Sequence, residues 1–457
     1  MTASQETSVE TLVNAKDGLV SRDIFLSQEI FDMEIENLFT RAWLFVGHET
    51  QIPNPGDYFV SQMGGDSVIL TRDDQGAIHV LLNTCRHRGM KVSRYDEGNT
   101  MEFYCPFHGW SYSIDGSLVS TPGELYGVPR YETSYAARLD KSQWGLVNAP
   151  QVANYKGMVF ATWDSKAPTF KEYLGDFHHW IDNLTDGLDG RVGTSEVFHG
   201  VQKWRVKANW KFVAENFLGD TYHAGPSHVS VEQVGIGPGG RGRMRTGQRR
   251  DVVFRGSSTS FIHLGHGACD SLDRDNPYSY DAFDDPQLQD YFRQQWEKKS
   301  ALIERHERPA GARGPATLFP NMSFHAWWMP RTILVAQPVG PSETEMWRWF
   351  LIDKDAPDFV RDWLRHYSMR YSGPSGLVEQ DDMENWDYAT AASKGPVARR
   401  YDYNYSMAIG QVQDSEQLRG AVESTVAPTE ENARNYYRHW ARMTDGTDWS
   451  EIMAETR

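Results

Sequence analysis

The chain has 457 residues, with 62 acidic against 46 basic side chains and a formal net charge of −16; the length suits two to three domains with a large core, and the charge argues against general nucleic-acid binding. Its three cysteines, Cys85, Cys105 and Cys269, are too few and odd in number for a disulfide framework and fit a reducing cytoplasm. The first ten residues carry no basic leader, and no run of 18 apolar residues occurs, so neither export nor a membrane span is expected.

Aromatic residues make up 13% of the chain, which implies a bulky core and an aromatic lining for any cavity in it. Over residues 27–43, Ile30, Phe31, Met33, Ile35, Leu38, Phe39 and Trp43 alternate with acids behind Ser27. This predicts an amphipathic helix with Ser27 as its N-cap, packed on a later domain. Short alternating segments follow at 57–62, 67–71 and 78–83, set off by Pro53, Pro55-Gly56, Gly64-Gly65 and Gly76, and predict a small all-β domain. Inside it stands Cys85-Arg-His87, then seventeen residues, then Cys105-Pro-Phe-His108. A zinc finger usually pairs like with like, whereas each motif here contributes one Cys and one His. The mixed pairing suits a [2Fe–2S] cluster in which two thiolates hold one iron and two imidazoles the other, which raises its potential and lets it accept electrons from a ferredoxin. The alternative from another class is a non-catalytic protein with a structural Cys2His2 zinc, which would be colourless.

Residues 168–184 read as a second amphipathic helix. Its His178-His179 pair points in directions about 100° apart and is expected to be packing or surface. Beyond it, Trp210, Val213, Phe217 and, less regularly, Leu218 recur at helical spacing, with Gly225-Pro226 as the expected stop. On one such helix Asn216, Asp220 and His223 fall at i, i+4 and i+7, and His228 lies past the break, where the chain can return a second imidazole. Two imidazoles and a carboxylate from elsewhere form the facial triad of non-haem Fe(II), with open positions for O2. The Gly-rich stretch 231–275 is expected to be a lid or entrance loop. Its Gly235-Ile-Gly-Pro-Gly-Gly240 satisfies GxGxxG only formally, with Pro238 inside and neither strand before nor helix after, so electrons must come through a separate reductase and ferredoxin. Arg241, Arg243, Arg245, Arg249 and Arg250 read as a solvated basic loop, or else as a docking surface for an acidic redox partner or a carboxylated substrate. Cys269 is expected to be incidental, and His263 and His266 have no complementary motif. Residues 317–325, 332–337 and 345–352 predict an antiparallel sheet with His325 in the core. The missing carboxylate is expected from a helix running from about Glu379 to Ala392, where physical reasoning alone leaves Glu379, Asp381, Asp382 and Glu384 open.

The Cys-x-His and Cys-x-x-His pair followed by Asp220-x-x-His223-x4-His228 resembles the large subunit of Rieske non-haem iron aromatic-ring-hydroxylating oxygenases, over nearly the whole chain. The resemblance implies an α+β fold. Its parts are an N-terminal helical segment at 1–43, an all-β Rieske [2Fe–2S] domain at 44–160, and a catalytic domain at 161–457 with an antiparallel sheet and helices of the helix-grip type. It further implies that Cys85, His87, Cys105 and His108 hold the cluster, and that His223, His228 and the second Asp of the acidic run, Asp382, hold a mononuclear iron. Asp220 would link His108 of one subunit to His223 of the next, with Asn216 near the iron and Phe217, Ala224 and Val378 at the pocket wall. Some relatives carry a bulky aromatic at the position of Val378, so a roomier pocket admitting fused rings is expected here. The activity implied is O2-dependent cis-dihydroxylation of a polycyclic or biaryl hydrocarbon. NAD(P)H would supply electrons indirectly, and the assembly would be an (αβ)3 hexamer with a small β subunit, or an α3 trimer. The alternative substrate is an aromatic acid such as phthalate or salicylate, taken by a dioxygenase or a monooxygenase built on the same residues.

Overall fold

The computed structural model describes residues 8–121, 139–187, 189–228, 231, 234, 256–261, 264–271, 285–304, 315–326, 331–426 and 428–455. The GxGxxG stretch, the arginine run 241–250 and His263 lie outside the described residues, as does the side chain of Cys269. The chain divides into two compact units, one of Phe39–Phe170 and one of Met1–Leu38 with Lys171–Arg457. The smaller unit thus begins earlier and ends later than the expected 44–160.

The described residues of the smaller unit form ten short strands: β1 (Leu44–His48), β2 (Asp57–Met63), β3 (Asp66–Arg72), β4 (Ile78–Leu82), β5 (Glu97–Asn99), β6 (Glu102–Tyr104), β7 (Ser111–Ser113), β8 (Leu118–Ser120), β9 (Gln151–Tyr155) and β10 (Met158–Thr162). They form three antiparallel sheets, ordered β9-β10-β1, β4-β3-β2-β5 and β8-β7-β6. The predicted strands are all present, each extended by a residue or two or trimmed by one. The hairpin β2–β3 turns through Gly64-Gly65 with Met63 opposite Asp66. Gly64 has φ +61°, and a Cβ there would stand 2.7 Å from Cβ of Phe39, so both the turn geometry and the close approach require glycine. Tyr58, Ile69, Leu81, Phe103, Trp110, Tyr112 and both cysteines share one buried cluster.

In the larger unit the N-terminal helix is shorter than expected. Ser27 accepts from the Ile30 N–H and caps α1 (Gln28–Met33), which widens into a π-turn over Glu34–Phe39 instead of running to residue 43. The cause is visible at Glu34. Its carboxylate, 0% exposed, receives Trp210 Nε1 at 2.9 Å, Trp440 Nε1 at 2.8 Å and the Lys211 ammonium. Tertiary partners therefore set the local winding. The stretch 168–184 is likewise interrupted, with a helical turn at Phe170–Leu174, a 3-10 turn at Gly175–Phe177, and α2 (His178–Thr185).

Next comes α3 (Trp210–Leu218), capped by the Asn209 side chain. It stops at Leu218, seven residues before the expected Gly225, and Pro226 instead lies inside the one-turn α4 (Ala224–Ser227) after a 3-10 turn at Thr221–His223. Gly219 is a poor helix former, and Asn432 donates to the terminal carbonyl of Leu218 and, at 2.9 Å, to Ala268. The helix end is thus satisfied by a side chain far along the chain. Asn216, Asp220 and His223 consequently do not stack on one continuous helix.

Ten described strands make the large antiparallel sheet: β11 (Ser195–Val197), β12 (Gln202–Val206), β13 (Gly256–Phe261), β14 (Gly267–Ser271), β15 (Pro315–Leu318), β16 (Met322–His325), β17 (Arg331–Gly340), β18 (Glu343–Asp353), β19 (Val412–Asp414) and β20 (Ala421–Ser424). Their order is β11-β18-β17-β16-β15-β14-β13-β20-β19, with β12 also on β18. The predicted pair β17–β18 is its longest ladder, from Arg331 opposite Leu351 to Gly340 opposite Glu343. Strands β13 and β14 correct the expectation of a loop over 231–275. Gly256-Ser-Ser-Thr-Ser260 has no apolar alternation to announce a strand, and it is held by ladders to β14 and β20. Helices α5 (Leu377–Ser393) and α6 (Glu431–Thr444) belong to the same unit, as do helices at Pro286–Glu304, Asp358–Tyr371 and Trp449–Glu455. Among the described residues no helix is long and apolar enough to cross a membrane.

Candidate functional site: a paired Cys/His centre and a His/His/Asp centre

In the smaller unit, two loops of matching construction carry the four predicted ligands. The Cys85 N–H donates to Met90 O at 2.8 Å and Gly89 N–H to Cys85 O at 2.9 Å, while the Cys105 N–H donates to Trp110 O at 2.8 Å and Gly109 N–H to Cys105 O at 3.0 Å. Gly89 and Gly109, each four residues after its cysteine, both have φ +74°, which a side chain would strain. The thiols are buried, and the rings of His87 and His108 lie 4.6 Å apart. His87 stacks on Trp110 at 5.1 Å, and Tyr112 Oη sits 3.2 Å from Cys85 Sγ. The Nδ1 atoms of both histidines are buried without a hydrogen-bond partner. Burial, and then the neighbouring His108 and Arg88, push His87 below its ordinary value, keeping it a neutral donor. Burial and the neighbouring Cys85 raise the Cys105 thiol. Two thiols buried together resist ionisation unless a cation takes up the charge. Two orphaned imidazole nitrogens and two buried thiols therefore fit a [2Fe–2S] cluster.

In the larger unit, α3 and the turns after it deliver His223 and His228, and α5 delivers Asp382. His223 Nε2 and His228 Nε2 are 3.1 Å apart, and each is 3.3 Å from Asp382 Oδ1. Metal bonds of about 2.1 Å at right angles would place their donor atoms about 3.0 Å apart, so this nearly equilateral triangle fits one face of an octahedral ion. The other ring nitrogens are engaged outward. Nδ1 of His223 donates to the Asp220 carbonyl, and Nδ1 of His228 lies 3.3 Å from Asp381 Oδ2, so both imidazoles are turned with Nε2 inward. Burial alone would lower His223, but Asp220 and Asp382 raise it to about 10. Burial would raise Asp382, and the two histidines hold it below the carboxylate range. The three groups draw one positive charge, a proton or a metal, to the point they share.

The acidic run on α5 is resolved by these contacts. Asp382 faces the donor triangle, Asp381 faces the back of His228, and Glu379 pairs with Arg348 at 2.7 Å. Asp381 and Glu379 are the site residues that sequence reasoning left unassigned. The only signal for them was an acidic run too dense for one role. The Asp220 carboxylate lies 3.5 Å from His223 Nδ1, its Oδ1 otherwise without a partner. Asn216 is half-buried on α3 and makes none of the contacts that orient the three donors. Phe217 is buried with its ring 5.1 Å from that of His325, and Val378 is half-buried in the first turn of α5. The side chain of Ala224 lies outside the described residues. Burial and then the Arg348 charge push His325 down to about 3, so it is neutral. A second group of possible donors, His178, His179 and Asp182, lies on the partly exposed α2. His178 Nδ1 bonds Asp182 Oδ2 at 3.0 Å, a partner one turn on that the adjacent-pair reading did not include.

Residues 42–132 match the family described as the Rieske [2Fe-2S] domain, and residues 191–446 match the ring hydroxylating alpha subunit catalytic domain. The chain is 35% identical to the benzene 1,2-dioxygenase subunit alpha of Pseudomonas putida over 98% of its length and 95% of that protein. It is also 35% identical to the biphenyl 2,3-dioxygenase subunit alpha of Rhodococcus jostii strain RHA1, over 98% and 94%. A solved structure of naphthalene 1,2-dioxygenase with indole in its active site superposes with a TM-score of 0.84 at 27% identity, covering 98% of both chains. The Rieske match replaces the zinc alternative for the Cys/His loops. With a Rieske domain and a ring-hydroxylating catalytic domain in one polypeptide, the chain belongs to the alpha subunits of Rieske aromatic-ring-hydroxylating dioxygenases.

Proposed function

We propose that this chain is the catalytic subunit of a terminal oxygenase that converts a biaryl or fused-ring hydrocarbon to its cis-dihydrodiol. The observation that carries the reading is the triangle of His223, His228 and Asp382 donor atoms, 3.1 to 3.3 Å on a side, in a unit whose family hydroxylates aromatic rings. In this reading Cys85, His87, Cys105 and His108 hold the cluster, and His223, His228 and Asp382 hold the iron. Together the two centres supply the one-electron chemistry that lets O2 react with a spin-paired ring. The residues do the remaining work. Asp381 and the Asp220 carbonyl keep both imidazoles turned inward, and the Asp220 carboxylate joins His223 to His108 of a neighbouring subunit. Phe217 and Val378 bound the face on which an apolar ring lies, with Asn216 at the site's edge.

The relatives named for benzene and biphenyl support an aromatic hydrocarbon as substrate. The small side chain at Val378 supports the larger members of that class. Ferredoxin and reductase partners, a small β subunit in an (αβ)3 hexamer, and a cytoplasmic location complete the proposal. The test is a single turnover of anaerobically reduced protein exposed to O2 with biphenyl, naphthalene, phenanthrene, phthalate and salicylate, identifying products and following the cluster spectrum. A cis-dihydrodiol from a hydrocarbon is expected. Turnover of the acids alone would overturn the substrate class, and cluster reoxidation without any ring product would overturn the reaction.

A further inference from the structure

One buried ion pair next to the metal triangle has no part in the reading above. Arg348 projects from strand β18 with its side chain 4% exposed, and its Nη2 lies 2.7 Å from Oε2 of Glu379, itself 3% exposed. Glu379 and Asp382 stand at i and i+3 on α5, so they share a face of the helix. Arg348 is drawn to both: Glu379 acts on it most strongly, and the other carboxylate acting on it is Asp382. Glu379 in turn feels the Asp382 and His228 charges. A guanidinium cannot give up its proton at any accessible pH, and buried it must have a carboxylate partner. Two acids act on it, and one of them is wanted elsewhere.

We propose that Glu379 is a positioning residue whose task is to occupy the Arg348 guanidinium, leaving the neighbouring Asp382 carboxylate free for the mononuclear metal. Without the Glu379 charge, Arg348 is a buried cation whose remaining partner is Asp382. It would both bind that carboxylate and repel a metal ion at the donor triangle. The inference rests on Asp382 as a metal ligand. Unlike the loss of a structural strut, the loss of Glu379 harms metal binding only while Arg348 is present.

The experiment measures the rate at which the assembled enzyme loses mononuclear iron to a ferrous chelator. The visible spectrum of the cluster and the thermal midpoint are followed as controls. E379Q keeps the length and one hydrogen bond of the side chain but not its charge. It is expected to lose iron about ten- to a hundredfold faster, the usual cost of disturbing a group behind a metal ligand, with cluster and midpoint unchanged. R348M/E379Q, with no charge left to compensate, is expected to return to the wild-type rate. If E379Q does not hold its fold, the double variant decides by itself. Wild-type retention of iron in E379Q, or loss from the double variant at a rate well above wild type, overturns the inference. D382N separates the two layers. If it loses iron while E379Q keeps it, only the role of Glu379 fails; if D382N itself keeps iron, the ligand assignment fails.

Discussion

At the scale of single residues, the two centres use different donors for different ends, and single substitutions should separate them. Cys105→Ser removes one buried thiol from the paired loops and is expected to abolish visible cluster absorption while mononuclear iron remains. His223→Ala is expected to do the reverse, and iron analysis alongside the spectrum distinguishes the two. At the proposed pocket wall, Val378→Trp fills the space a second fused ring would need. Turnover of phenanthrene should fall at least tenfold more than that of benzene, a loss of about 1.4 kcal/mol or more in discrimination, and an unchanged substrate range would remove Val378 from the wall. The paired Cys/His loops and the two histidines of the proposed iron site were picked out of the sequence because their spacing is local. Asp382 was singled out only by resemblance, since Glu379, Asp381 and Glu384 share its chemistry within two turns of one helix. The divisions within that run come from Arg348 and His228, which approach α5 from far along the chain.

At the scale of elements, local winding yields to buried polar partners. Lys211 and Glu34, both with fully buried side chains, tie the N-terminal segment to α3 and, through Trp440, to α6. Lys211→Met leaves the Glu34 charge unpaired, and a loss of about 3 to 5 kcal/mol is expected, seen as a marked drop in the thermal midpoint. His266 holds the turn between β13 and β14 as a neutral ring. Its Nε2–H donates to Tyr173 O at 2.8 Å, and its Nδ1 accepts from the Phe319 N–H at 3.1 Å. Burial pushes it from the ordinary 6.5 to about 4, with the Tyr173 carbonyl opposing. The unfolded state therefore binds the proton more readily. The contribution of this residue, about 3 kcal/mol, is present above pH 6.5 and lost as pH falls from there through about 4. Denaturant titrations across that window should show the loss, and His266→Gln should flatten it. Neither interaction was foreseeable: His266 had no motif, and the acidic spacing around Glu34 reads as a solvated helix face.

At the scale of the whole molecule, the chain is a receiver of electrons. Its family draws them from partner proteins, so NADH added to the purified protein alone should leave the cluster oxidised, whereas a ferredoxin and reductase pair should bleach it under argon. Reduction by NADH alone would show that the chain takes hydride itself. The sequence by itself determined the chemistry and its order along the chain. Metal-binding loops are short, their donors few in kind, and glycine at positive φ marks where they turn, so the information is local. Only the tertiary structure decided where α3 ends, that 256–261 and 267–271 are strands, which acid faces His223 and His228, and what holds Arg348. Each of these depends on a partner distant in the chain, because a buried charge or an open helix end is satisfied by whatever the fold brings to it, and a local pattern does not name that partner.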